Sequence, residues 1–257
     1  MIQSLKDKMQ GLIDVYLKAK QSGELEEETS YGDKMETIRE WQRENILNLD
    51  KLKNYSDDEF AAKFGEMFDY TDGSVSMHNL TKMRFNKIEK RLAVRKQFEN
   101  LVGYITSHEN DRFELLEEIL NSSSPYKVPG LGSHIATTLI NSEYPDVPPI
   151  NETTKEFFRN IDEPLSLNIT EQQREVNRFF AEMKELNPEL SLDDINHICW
   201  YSKTIPSGRE FMKANFPATF KSEEHPRRLT RRKHMTREEQ MAARLAELEA
   251  INRSANQ

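Results

Sequence analysis

Apolar positions recur along this chain at the three- and four-residue spacing of a helix, and no series of alternating Val/Ile/Thr-rich runs marks a sheet. Ile2, Leu5, Met9, Leu12, Ile13 and Tyr16 share one face of a helix predicted over residues 2–20, and the acidic stretch Glu24 to Glu28 reads as a loop. A second helix is expected from about Asp33 to Asn48, offering Ile38, Trp41, Ile46 and Leu49 to a core. After the turn Asn54-Tyr55-Ser56, Ser56 and Glu59 have the spacing of a capping box and open a helix carrying Phe60, Phe64, Met67 and Phe68. Asp72-Gly73 interrupts the pattern. The longest helical pattern follows, from about Ser76 to Thr106, with Met83, Ile88, Leu92, Val94, Phe98 and Val102 along it. Shorter helices are expected from Asp111 to Leu120, from a Thr170/Gln173 cap pair to Leu186, and from Ser191 to about Ser202. No internal repeat is present. The pattern predicts an all-α, multi-helix globular protein, with room for at most a minor hairpin.

Composition adds three points. The 257 residues fit one large domain or two modest ones, and with 36% hydrophobic and 31% charged residues the chain can bury a core while staying polar outside. Cys199 is the single cysteine, so an intrachain disulfide and a Cys-based metal site are both excluded, and its apolar neighbours suit a buried thiol. The amphipathic N-terminus lacks the apolar core of a signal peptide, and no stretch nears the length of a membrane span, so a cytoplasmic protein with no membrane contact is expected. From residue 221 the composition shifts. Arg227, Arg228, Arg231, Arg232 and Lys233 form a basic run, and an Ala/Glu/Arg-rich stretch from Thr236 to Arg253 has high helix propensity. The expected division is 1–110, 111–220 and a basic linker with a charged C-terminal helix over 221–257.

The stretch with chemical content is Val128-Pro129-Gly130-Leu131-Gly132-Ser133-His134, followed at once by the helix pattern Ile135, Ala136, Leu139, Ile140. Two glycines allow a tight turn and let a ligand approach the backbone. A helix that starts immediately afterwards aims its free N–H groups and the positive end of its dipole outward, where a phosphate fits. Ser133 is placed to cap the helix or to bond a phosphate oxygen. The small Ala136 permits close helix–helix approach.

This segment resembles the helix-hairpin-helix motif in the version found in the DNA glycosylase superfamily, over about residues 112–160. In that family a Pro-containing loop and a Val/Ile-Asp-Thr signature follow the hairpin; Pro148-Pro149-Ile150-Asn151-Glu152-Thr153 stands here at the matching spacing. The resemblance implies a hairpin that grips DNA. It does not imply the family's chemistry, because its catalytic Asp aligns with Asn151, its nucleophilic Lys aligns with the Ser133-His134 region, and the cysteines of its iron–sulfur members are lacking. The linker from Leu120 to Pro129 is also longer than the family's, through an inserted turn or a misplaced first helix.

The nucleic-acid contact expected from the sequence therefore comprises Lys127, Gly130, Leu131, Gly132, Ser133 and His134, with Arg227, Arg228, Arg231, Arg232 and Lys233 adding affinity through charge. Lys82, Arg84, Lys87, Lys90, Arg91, Arg95 and Lys96 form a second basic series, suited to phosphates or to a solvated face. Six scattered histidines form no metal-ligand spacing, and the adjacent pairs Glu117-Glu118 and Asp193-Asp194 should diverge rather than share a site. No phosphate-binding loop, nucleophile elbow or kinase motif appears, so no cofactor is expected and an enzyme is disfavoured. DNA binding without catalysis is the first expectation, compatible with repair, restriction or phage–host conflict. An adaptor whose charged C-terminal helix docks on a protein partner is the second, with the glycines at 130 and 132 serving only packing. A divergent glycosylase-like enzyme is the third.

Overall fold

The structure, a computed structural model, describes residues 1–25, 31–70, 83–107 and 111–220. The described residues contain twelve α-helices and no strand. In chain order they are α1 (Gln3–Ser22), α2 (Tyr31–Asn45), α3 (Leu49–Asn54), α4 (Asp57–Glu66), α5 (Ile88–Leu92), α6 (Arg95–Ile105), α7 (Leu115–Leu120), α8 (Ser133–Glu143), α9 (Glu152–Asn160), α10 (Ile169–Leu186), α11 (Leu192–Thr204) and α12 (Pro206–Asn215). A 3-10 turn, Met67–Asp69, extends α4. No described helix is long and apolar enough to cross a membrane.

Local signals in the sequence explain most helix starts. Ser56 accepts from the Glu59 N–H while Glu59 accepts from the Ser56 N–H, the reciprocal arrangement of a capping box. Ser191 and Asp194 repeat it at α11. Asn48 caps α3 and Pro206 stands at the first position of α12, two short helices the apolar pattern does not predict. At α10 the cap lies two residues upstream of the expected pair. Asn168 accepts from the Glu171 N–H, while Thr170 bonds Glu117 and Gln173 donates to the Pro148 carbonyl at 2.8 Å. Ile2, counted with the apolar face, is the N-cap of α1 and stays 69% exposed.

The expected helix over residues 76–106 is interrupted. Its described part leaves the helix at residues 85–87, forms α5, turns again at Ala93-Val94 and continues as α6. Two of its arginines turn inward and satisfy carbonyls. Arg91 donates to Phe85 O and Ala61 O, and Arg95 donates to Tyr55 O and pairs with Asp57 and Glu99. These two cations are therefore spent on the fold, a correction to the reading of the series as one basic face.

Two hydrophobic clusters form the core. The first runs from Ile46 to Val147 and includes Phe60, Phe64, Phe68, Phe85 and Phe98. The second joins the apolar stripe of α1 to residues 150–216. The chain thus begins in the second cluster, builds the first, and returns at Ile150. Residues 1–221 form one compact unit, and neither cluster divides at residue 110. The physical reason lies in α1, whose Leu5, Met9, Leu12, Ile13 and Tyr16 are all buried and find their partners on α10, α11 and α12.

A polar seam joins the two clusters. Arg39 on α2 donates from both terminal nitrogens to Asp193 on α11, at 3.0 and 2.7 Å, and reaches Asn141 on α8 at 3.5 Å. Asn141 in turn donates to the Val147 carbonyl at 3.0 Å. Ser142 donates to Gln42 at 2.8 Å, and its carbonyl accepts from Arg43 at 2.7 Å. Asp193 and Asp194 diverge as expected. The second turns to α1, accepting from Tyr16 at 3.2 Å and from Lys20 at 3.0 Å.

Candidate nucleic-acid interface

The site grows from the segment between α7 and α8. The chain leaves Leu120 through two small turns before the hairpin itself. Asn121 accepts from the Ser123 N–H at 3.0 Å, Ser124 accepts from the Tyr126 N–H at 3.1 Å, and Lys127 N–H closes on Ser124 O. These inserted turns account for the long linker, and stacking of Tyr126 on Tyr104, with centroids 3.9 Å apart, holds them in place.

Next comes a four-residue turn closed by the Leu131 N–H on Val128 O at 3.1 Å. Pro129 and Gly130 occupy its centre, and Gly130 has φ +92°, a left-handed conformation that glycine adopts without a Cβ penalty. Val128 and Leu131, 1% and 5% exposed, plug the turn into the first cluster. The Leu131 side chain is therefore an anchor, and its N–H is spent closing the turn, so of the expected contact residues Leu131 serves the fold and not the ligand.

Gly132 is the N-cap of α8, and no side chain covers the helix end from that position. A Cβ added to Gly132 would meet nothing within 4 Å. Gly132 and Ser133 are exposed, whereas Ile135, Ala136 and Leu139 are buried beneath them. Ser133 is thus the first helical residue rather than the cap, which leaves its hydroxyl in solvent. His134 follows half-buried, and its carbonyl accepts from the hydroxyls of Thr137 and Thr138. Lys127, also half-buried, lies three residues before Gly130.

The structure adds one residue that the sequence did not single out for this place. A Cβ on Gly130 would stand 2.1 Å from Arg84 Nε and 2.5 Å from its Cδ, so the Arg84 side chain lies directly over the hairpin glycine. Arg84 is exposed and forms no ion pair with a described carboxylate. It joins a guanidinium from a distant stretch of chain to the turn that opens α8. Only its place in the general basic series hinted at this, since spacing cannot show that residue 84 folds onto residue 130.

The two glycines are therefore unequal, and substitution should separate them. Gly130→Ala is expected to cost about 1–3 kcal/mol, through the left-handed φ and the displacement of Arg84. Gly132→Ala, at φ −84° in open space, should leave stability within about 1 kcal/mol of the parent. Urea denaturation of both variants checks the contrast, and equal losses would contradict it.

Asn151 is committed to a structural bond. Its Oδ1 accepts from the Thr154 N–H at 2.9 Å and caps α9. Cys199 is buried within the second cluster, where burial pushes its thiol pKa upward. Among the described residues no cluster of His, Cys, Asp or Glu is arranged to hold a metal.

A cleft of about 450 Å³ opens elsewhere, lined by Tyr104, Glu114, Glu117, Glu118, Thr170 and Arg174 among others. Glu117 and Glu118 both border it, contrary to the expected divergence, because the cleft is broad enough to reach two adjacent positions of the short α7. Its carboxylates outnumber its single arginine, so this surface repels a polyanion. Arg227, Arg228, Arg231, Arg232, Lys233 and the predicted C-terminal helix lie outside the described residues.

No family model matches this chain, and neither a curated protein nor a solved structure matches it.

Proposed function

We propose that the protein binds nucleic-acid backbone without catalysing a reaction, through the hairpin Val128–His134, and that the resemblance of the hairpin makes DNA its ligand. One observation carries the reading. The bare glycine cap of an 11-residue helix, with open space above it, stands beside a turn whose glycine is overlaid by the Arg84 guanidinium. A phosphate at that cap would meet outward N–H groups, the positive end of the helix dipole and a cation. Ser133 would add a hydroxyl. Lys127 and the run Arg227, Arg228, Arg231, Arg232 and Lys233 would add charge. Such contacts fix the protein on the duplex without reading its sequence. Asn151 supports the non-catalytic reading, since an amide cannot act as a carboxylate base. Repair, restriction and phage–host conflict are the settings in which a backbone-gripping protein of this kind would serve.

The test is fluorescence anisotropy with a labelled 20-base-pair duplex at two salt concentrations. The parent and Gly132→Ala are expected to bind alike, with affinity falling as salt rises. Gly132→Glu sets a carboxylate where the phosphate would lie and should weaken binding about tenfold or more, with an unchanged circular dichroism spectrum. Equal binding by parent and Gly132→Glu would overturn the hairpin reading. Absence of binding by the parent at low salt would leave the protein-adaptor alternative.

A further inference from the structure

Residues 83–90 form a surface segment held by one anchor. Phe85 is 2% exposed and packs against Phe64 and Phe68, with ring centroids 5.1 and 5.9 Å away. Arg91 fixes the same point by donating to the Phe85 carbonyl at 2.7 Å. Around this anchor every other side chain faces solvent. Met83 is 68% exposed, Ile88 is 50% exposed, and Arg84, Asn86, Lys87, Glu89 and Lys90 are exposed between and beside them.

Large apolar side chains in solvent are rare among the described residues. Besides Met83 and Ile88 they are Ile2, at the cap of α1, and Leu167, in the loop before α10. Only Met83 and Ile88 share a segment. Its central residue is buried while its apolar flanks stand in solvent. It carries three cations against one carboxylate, and its Arg84 lies over the hairpin glycine. The partner such a surface fits is anionic and also presents apolar faces.

We propose that Met83 and Ile88 pack against base faces of DNA whose stacking is interrupted, an inference that rests on the hairpin reading. A fully paired duplex hides its base faces, and inserting an apolar side chain there costs the unstacking of a step. Where a base is already unpaired that cost is met beforehand, and apolar contact with the exposed face becomes a net gain. The hairpin and Arg84 would hold the backbone, while Met83 and Ile88 would confer the preference for disrupted sites.

Anisotropy titration of the full chain with two labelled duplexes tests this, one perfectly paired and one containing a three-nucleotide bulge. The parent is expected to bind the bulged duplex about tenfold more tightly. The double variant Met83→Ser/Ile88→Ser should bind both probes with the affinity of the parent for the paired duplex. Because both side chains are exposed, its thermal midpoint should match the parent's, which keeps misfolding out of the result. Equal affinity of the parent for both probes overturns the proposal, as does a double variant that keeps the preference or weakens on both probes by the same factor. Gly132→Glu should weaken both probes together. If it weakens neither while the bulge preference persists, the hairpin reading fails and the base contact stands alone. If the parent binds neither probe, both fail.

Discussion

Replacing Arg39 with Ala should lower the free energy of unfolding by about 3–5 kcal/mol, the usual consequence of removing one member of a buried ion pair. The Arg39 side chain is 7% exposed and Asp193 is 17% exposed, so the remaining carboxylate would keep little water in compensation. The bond is bidentate, and Arg39 also reaches Asn141 and pairs with the Glu36 carboxylate at 2.9 Å. Glu36 is half-exposed and contributes little by itself. The replacement of both charges, Arg39→Met with Asp193→Leu, should recover most of the loss, because the cost lies in leaving one charge unpaired. Urea titration of Arg39→Met, Asp193→Leu and the double variant measures the cycle, with Arg39→Ala read beside it. A loss below about 1 kcal/mol in Arg39→Ala would show that the seam does not hold the two clusters together. Because Arg39 touches α8 through Asn141, the same variant should also loosen the helix that begins at the hairpin.

Acid should destabilise the protein through His197. The ring is 3% exposed, stacked on Trp200 with centroids 5.0 Å apart, and its Nδ1 lies 3.2 Å from the Tyr16 hydroxyl. Burial is the largest cause of its pKa falling from 6.5 to about 4; Asp194 opposes the shift and Lys20 adds to it. Burial also raises the Tyr16 pKa, with the Asp194 charge second, so the phenol stays protonated and able to donate to Asp194. The native state thus refuses a proton that the unfolded chain takes up below pH 6.5. The contribution is fully present above that pH and is lost as pH falls through about 4, to a total of roughly 3 kcal/mol. His197→Gln removes the titrating group. Urea denaturation at pH 7, 5.5 and 4 should therefore show a smaller acid loss in the variant than in the parent, and parallel losses would refute the assignment.

The helices were legible where apolar periodicity and a cap coincided. The α1 stripe, the Ser56/Glu59 box and the Ser191 start all follow from residues within one or two turns. Legibility failed where tertiary bonds decided. Thr170 and Gln173 have the spacing of a cap pair but serve Glu117 and Pro148, and Asn168 caps instead. The pattern over 76–106 reads as one helix, yet the chain turns at 85–87 and at Ala93-Val94, and Arg91 and Arg95 bond the Ala61 and Tyr55 carbonyls, partners that lie far off in sequence. Pairing of α1 with the C-terminal helices spans more than 150 residues, and no local pattern reports it. At the hairpin, the turn and helix start were readable from Pro129, Gly130 and Gly132. The separate duties of the two glycines depend on a dihedral and on Arg84, which only the folded chain brings together.

If the start of α8 holds a phosphate, as proposed, its backbone amides should report the contact by NMR. The protein, labelled with nitrogen-15, would be titrated with a short duplex at low salt. The largest shifts are expected on the amides of Gly132, Ser133, His134 and Ile135, with smaller ones near Arg84 and Lys127. Shifts confined to residues 221–257, or none at the start of α8 at saturating DNA, would contradict the contact.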